Sequence, residues 1–379
     1  MNPNNFKFID LFAGIGGIRI PFVELGGKCV FTSEIDPYCQ EMYEANFGEK
    51  PTGDICAVNA KDIPNHDILL GGFPCQAFSI IGDRKGFDDT RGTLFFEIER
   101  ILREKKPHAF LLENVRQLTT HDEGRTFSVI LSRLKSLGYF VHHKVLNALH
   151  YGVPQKRERI MMVGFVKNYK FVFPEPVKKG QKLEDILENE KHIDDKHYAS
   201  KEIVKERKQM VKGKKVVYPS VWHQNKGGNI GVHPFSCALR AGASYNYLLV
   251  NGVRRFTPRE LLRLQGFPDS FKMVVPDSQI RKQTGNSVAV PCIRAVAKEM
   301  KKAILGGVID DKLKLNGSNQ LSFRFEEESP KEMISKDGIA LNLNNSLSYL
   351  SAALKELKMK NDELKARLEI LEKDLTVNK

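Results

Sequence analysis

Phe8-Ile9-Asp10-Leu11-Phe12-Ala13-Gly14-Ile15-Gly16-Gly17 is the stretch that decides the fold. Its first half is a short apolar run of strand length. Its second half is a glycine turn, and residues 18–25 then carry apolar side chains at helical spacing. A strand that enters a helix through glycines opens an α/β unit and lets a ligand approach the backbone at the helix N-terminus. Four more strand-like runs follow. Residues 29–33 close on Glu34, and 68–70 run into Gly71-Gly72-Phe73-Pro74-Cys75. Residues 109–112 run into Glu113-Asn114-Val115, and 160–164 form the last. Helix-like stretches at 94–105 and 126–137 lie between them. Strands alternating with helices predict an α/β domain built on a mainly parallel sheet.

The chain has 379 residues, 41% hydrophobic and 28% charged. That balance is globular and excludes a disordered or collagen-like chain. No apolar run approaches the roughly 20 residues of a bilayer span, so no membrane partner is expected. The first ten residues lack the basic-then-apolar order of an export signal, which points to the cytoplasm. The six cysteines form no CxxC pair, so neither a zinc site nor a disulfide scaffold is expected. Lys and Arg number 59 against 46 Asp and Glu, a net charge of +13. Such an excess points to an anionic partner, nucleic acid first.

Composition divides the rest of the chain. Residues 178–275 change from a Lys-, Glu- and Asp-dense stretch to a Gly-, Asn- and Ser-rich one with short β-like pieces, and read as a second, smaller domain. Residues 259–264 predict a short helix, and residues 288–305 a helix that returns to the first domain. The polar residues 306–342 read as a linker. Beyond them a heptad places Leu343, Leu350, Leu357, Leu364 and Leu371 at d, with Leu347, Leu354, Asn361, Leu368 and Leu375 at a. This pattern predicts a coiled coil over 343–379, and a lone Asn at a favours a parallel dimer. The bland alternative is a helix folded back on its own globular domain.

Several residues carry chemistry. Glu34, at a strand end, suits the two hydroxyls of a ribose, and Asp54 suits an adenine amino group. The G-x-G-G spacing lacks the third glycine of a dinucleotide fingerprint, so NAD is not indicated. Cys75 follows a buried strand and a turn-setting Pro74, where a thiol can act as a nucleophile; a buried inert Cys is the common alternative. Glu113 ends its strand at the same sheet edge. In Gln155-Lys156-Arg157-Glu158-Arg159 the two arginines alternate in an extended segment and so share a face suited to an anion or a carbonyl.

Taken in order, 8–17, 72–76, 113–115, 155–159, Arg259-Glu260-Leu261-Leu262-Arg263-Leu264-Gln265-Gly266-Phe267-Pro268 and Gly285-Asn286-Ser287-Val288 resemble the DNA cytosine-5 methyltransferases, of the bacterial restriction–modification type. The resemblance covers residues 6–305. It implies a Rossmann-like, S-adenosylmethionine-dependent catalytic domain over 1–177, completed by 276–305, and a target-recognition domain over 178–275. It implies double-stranded DNA as substrate, S-adenosylhomocysteine as by-product and no metal. By position, Cys75 is the nucleophile toward cytosine C6, Glu113 holds and protonates N3, Arg159 contacts O2, and Arg157 supports the site. The cofactor falls on Phe12, Ala13, Gly14, Ile15, Gly16 and Gly17, with Glu34, Ile35, Asp54, Ile55 and Pro74, and with Asn286, Ser287 and Val288 closing the pocket. Relatives often stack an aromatic ring where this chain has Ile35.

A target base is out of reach inside a duplex and must be flipped out. The glycine-bearing stretch 76–93 reads as a loop over DNA, with Gln76, Ser79, Arg84, Lys85 and Arg91 as contacts. Gln224, Asn225, Lys226, Asn229, Arg240 and Tyr245 are candidate groove readers in the smaller domain, though each is equally a loop residue held by local bonds. The main rival is a tRNA cytosine-5 methyltransferase, which usually carries Cys-Phe-Thr where this chain has Arg255-Phe256-Thr257. An adenine or N4-cytosine enzyme would need a Pro-Pro-aromatic motif, absent here. A non-catalytic DNA-binding dimer would have no need of Cys75, Glu113 and Arg159.

Overall fold

The computed structural model describes residues 1–73 and 94–308. Pro74, Cys75, Gln76, Ser79, Arg84, Lys85 and Arg91 lie outside those residues, as does the heptad segment.

The opening stretch forms β1 (Phe6–Leu11) and α1 (Arg19–Glu24), followed by β2 (Gly27–Ser33) and α2 (Pro37–Phe47). Then come β3 (Ile68–Gly72), α3 (Leu94–Lys105), β4 (Ala109–Val115), α4 (Arg125–Ser136), β5 (Phe140–Asn147), β6 (Gln155–Lys156) and β7 (Glu158–Phe165). Six of these strands make one sheet in the order β2-β1-β3-β4-β7-β5. The four strands from β2 to β4 run parallel, and β7 is antiparallel to both neighbours. Parallel-rich sheets are covered on both faces, and here alternate side chains of β1 divide between them. Phe6 and Phe8 pack in one core with Phe22 of α1 and with Ile293 and Val296. Ile9 and Leu11 pack in another with Phe95, Ile98 and Leu102 of α3. Each fully buried large apolar side chain stabilises the fold by about 1.5–3 kcal/mol.

The second half of the chain adds α5 (Leu183–Ile186), α6 (Lys201–Met210), β8 (Val221–Gln224), β9 (Ile230–His233), β10 (Ser236–Cys237) and β11 (Leu248–Val250). The order β11-β8-β9 makes a small antiparallel sheet. The short β10 pairs instead with β6, which joins this region to the first. Last come α7 (Pro258–Leu264), α8 (Asp277–Asn286) and α9 (Val290–Leu305). Thr257 and Glu260 form a reciprocal capping box at the start of α7, with Pro258 in its first turn. Arg254 and Glu260, both fully buried, pair at 2.9 Å, and Glu190 closes on the same guanidinium. α9 begins two residues later than the apolar pattern suggests. Pro291 lies in its first turn, and Ser287 and Val288 are taken up by a contact with the glycine turn. Among the described residues, no helix is long and apolar enough to cross a membrane.

Candidate active site

The carboxyl ends of β1, β2, β3 and β4 bring the predicted chemistry to one sheet edge. The turn after β1 takes positive φ at Phe12 (55°), Gly14 (54°) and Gly16 (81°). A Cβ at Gly14 would meet nothing within 4 Å, so the backbone here faces open space. Gly14 N donates to Glu34 Oε2 at 2.7 Å, and Asp36 N donates to Oε1 at 2.8 Å. Each carboxylate oxygen keeps a further lone pair for a ligand hydroxyl. Asp36 caps α2 and so turns the chain just after Glu34. Ile35 between them is 69% exposed, an apolar surface offered to solvent beside the acid. Asp54 is exposed and caps its own short turn through Cys56 N, on a segment tied to β2 by Glu34 N→Thr52 O. Ala13 N is held by Ser33 O, while Ile15 and Ile55 are core residues. From the far end of the chain Ser287 and Val288 come against Gly17: a Cβ there would stand 2.9 Å from Ser287 Oγ and from Val288 Cγ2. Asn286 beside them is exposed. An open glycine cradle, an acid with spare lone pairs and an exposed apolar side chain fit an adenosine-type ligand.

Glu113 is 7% exposed at the end of β4. Arg159 Nε lies 3.0 Å from its Oε1, yet no described group donates an aligned hydrogen bond to that oxygen. Burial pushes the Glu113 carboxyl above its ordinary range, against the pull of Arg159 and Arg157. Such an acid is poised to carry and deliver a proton. A Cβ at Gly72 would stand 3.6 Å from Glu113 Oε2, and Asn114 Nδ2 donates to Phe73 O at 2.8 Å. The exit of β3 at Gly72, three residues ahead of Cys75, is therefore held against the Glu113 carboxyl.

A family model described as C-5 cytosine-specific DNA methylase matches residues 6–302. The chain belongs to that family. The Type II methyltransferase M.HaeII of Haemophilus aegyptius is 59% identical over 295 residues, covering 78% of this chain and 92% of that protein. The Type II methyltransferase M.NgoBI of Neisseria gonorrhoeae is 58% identical over 77% of this chain and 92% of its own length. Among solved structures, the S. pombe Dnmt2 methyltransferase superposes with a TM-score of 0.63 at 21% identity, over 80% of this chain and all of that one. The Entamoeba histolytica methyltransferase EhMeth gives 0.62 at 18%, over 79% and 99%. These two likenesses speak for the fold. The chain is a DNA cytosine-5 methyltransferase, DNA is its substrate, and a methyltransferase of this family uses S-adenosylmethionine.

In this methyltransferase the two arginines of residues 155–159 have different partners. Arg159 goes to Glu113, and its Nη1 donates to Glu158 O. Arg157 is 1% exposed and donates to Leu239 O at 2.9 Å, to Gly285 O at 3.1 Å and to Ser287 O. One side chain thus ties three separate segments. Gln155, also fully buried, accepts from Leu239 N at 3.0 Å and donates to Leu264 O at 2.9 Å. Sequence reasoning assigned no role to Asn114 or Gln155, although both stood inside the quoted motifs. Polar residues flanking the two predicted catalytic positions were the available signal.

The candidate groove readers also separate. Gln224 accepts from Arg207 at 2.5 Å and donates to Gly228 O. Asn225 closes a turn by accepting from Asn229 N, and Asn229 O accepts from Asn225 N. Lys226 is exposed at the tip of that turn. Tyr245 lies 4.4 Å under the Arg281 guanidinium, and Arg240 lies 4.9 Å over the Tyr247 ring.

Proposed function

We propose that this methyltransferase modifies cytosine within one short DNA sequence by way of a covalent Cys75–C6 adduct, as the protecting partner of a restriction endonuclease. The relatives named Type II methyltransferases support the protective role. They also favour DNA over tRNA. The observation that carries the chemistry is the buried Glu113, its carboxyl pushed up by burial, paired with Arg159 beside the strand that leads to Cys75.

Cytosine C5 is too weak a nucleophile to be alkylated directly. Attack of the Cys75 thiolate on C6 pushes the ring electrons toward N3 and O2. Glu113 gives its proton to N3, and Arg159 offsets charge at O2, so C5 becomes enamine-like. S-adenosylmethionine, when bound, supplies the electrophilic methyl group that C5 accepts. Loss of the C5 proton to a solvent base, return of the N3 proton to Glu113 and departure of the thiolate then restore the aromatic ring and the acid. Phe12 to Gly17, Glu34, Ile35, Asp54, Ile55, Pro74, Asn286, Ser287 and Val288 would hold the cofactor. Glu34 would take its ribose, and Ile35 would cover the adenine face. No step calls for a metal.

Residues 178–275 serve as the target-recognition domain, the basic residues of 76–93 serve DNA binding, and the heptads at 343–379 pair two chains in the cytoplasm. Bisulfite sequencing of unmethylated DNA after incubation with enzyme and S-adenosylmethionine tests the reaction, with Cys75→Ser as control. Protection in one context with wild type alone is the expected result. No protection on DNA carrying all short contexts would end the reading.

A further inference from the structure

The target-recognition reading leaves open which side chain meets a base. We propose that Arg240 reads a guanine next to the target cytosine, through a bidentate contact in the major groove; the inference rests on the DNA-methyltransferase reading above.

Gln224 has both ends of its amide engaged, and Asn225 is engaged in its turn. Arg281 spends its guanidinium on Ala243 O and Ser244 O, and Arg255 on Asn246 and the carbonyls of Lys196 and Tyr198. Arg207 is buried. Arg240 is exposed, and among the described residues its guanidinium donates to nothing. All five of its N–H donors remain available.

The backbone around Arg240 is held on both sides. Leu239, just before it, is held at both ends by the catalytic region: its N–H by Gln155 and its carbonyl by Arg157. Arg240 N donates to Tyr247 Oη at 2.9 Å. Ala241, just after it, packs against Gly285 so closely that any Cβ there would collide with its nitrogen. The Tyr247 ring lies under the guanidinium at 4.9 Å and orients its plane without using a donor. Ordering an exposed arginine costs side-chain entropy, and anchoring one that makes no internal bond is of use when an external partner must be met in a set geometry. The same Arg157 that holds Leu239 stands two residues before Arg159, which pairs with Glu113, so the segment carrying Arg240 is tied to the strand that bears that pair. Guanine O6 and N7 are two acceptors in the plane that a guanidinium fork matches, and this is the commonest base-specific contact.

Wild type, Arg240→Ala and Arg240→Lys are compared on a duplex library randomised around a cytosine, with methylation rates per context read by bisulfite sequencing. Wild type should demand guanine at one position adjacent to the target. Both variants should lose that demand by about 10-fold or more while keeping discrimination at the other positions. Arg240→Lys should also keep the salt dependence of DNA binding, since it retains the charge. Binding of S-adenosylhomocysteine should be unchanged in both, which separates the loss from unfolding. A uniform fall across all contexts, or an unaltered profile, would overturn the proposal. Wild type that methylates no DNA would instead refute the reading on which it rests.

Discussion

Arg157→Lys isolates what the buried guanidinium does. Both side chains are basic, and the more strongly hydrated ammonium is the costlier of the two to bury. Geometry changes as well. Arg157 uses Nη1 for Leu239 O and Nη2 for Gly285 O and Ser287 O. Lysine offers one nitrogen on a flexible stem and cannot stand in both places. At least one buried carbonyl is left without a donor, at a cost of about 1–3 kcal/mol. Trp222, the sole tryptophan, is 2% exposed in the small-sheet region, so its fluorescence reports on that region alone. Far-UV circular dichroism reports on the helices around the large sheet as well. In urea the variant should show its fluorescence transition at lower denaturant, separated from the dichroism transition, because the tie from the β6–β7 segment to Leu239 is weakened. Turnover should fall about 10-fold or more, since small displacements of positioned groups are expensive in rate. Coincident transitions at the wild-type midpoint, with wild-type turnover, would refute the assignment of Arg157 as the tie.

Three further outcomes follow from the geometry. Asp10 in β1 is buried, and burial pushes its carboxyl from 3.8 to about 7. The folded value lies above the unfolded one, so its contribution is complete below about 4 and is lost as pH rises through about 7. Asp10→Asn should therefore gain about 4 kcal/mol over wild type between pH 4 and pH 8 in urea titrations, and equal curves at both pH values would exclude this. Glu113→Gln keeps the shape but removes the proton carrier; single-turnover methylation should slow about 10²- to 10⁴-fold, and an unchanged rate would remove Glu113 from the mechanism. In Gly17→Ala the new methyl meets Ser287 Oγ and Val288 Cγ2 at 2.9 Å. Calorimetry should show weaker S-adenosylhomocysteine binding with the fold intact, and an unaltered affinity would mean that the two segments do not share the cofactor site.

Much of the fold was legible in local pattern. The strands at β1 to β4 and β7, and helices α3, α4 and α7, fall within two or three residues of where apolar runs and turn residues placed them. Buried strands of a parallel sheet are continuous apolar runs, and such runs are visible in a linear chain. The antiparallel setting of β7 was not visible, because a strand's direction in a sheet depends on the path between strands. β5 was missed because Phe140-Val-His-His-Lys-Val-Leu-Asn, on the sheet edge, is half exposed and has no clean alternation. α8 was missed because Ile280 is its sole large buried apolar side chain; the helix packs through Gly285 against Ala241, a contact between distant segments.

The site divides in the same way. Short contiguous motifs with a chemical reason at each position were enough to single out Glu34, Glu113 and Arg159 as candidates, since a glycine turn or an acid at a strand end acts through its immediate neighbours. Residues 155–159 looked like one functional face. Tertiary contacts alone sent Arg159 to Glu113 and Arg157 to three carbonyls more than 80 positions away. The same holds for Arg240, which no local signal distinguished from Gln224 or Asn225. Its standing comes from what its neighbours bond to across the fold, and hydrogen bonds between distant segments exist only after the chain has closed on itself.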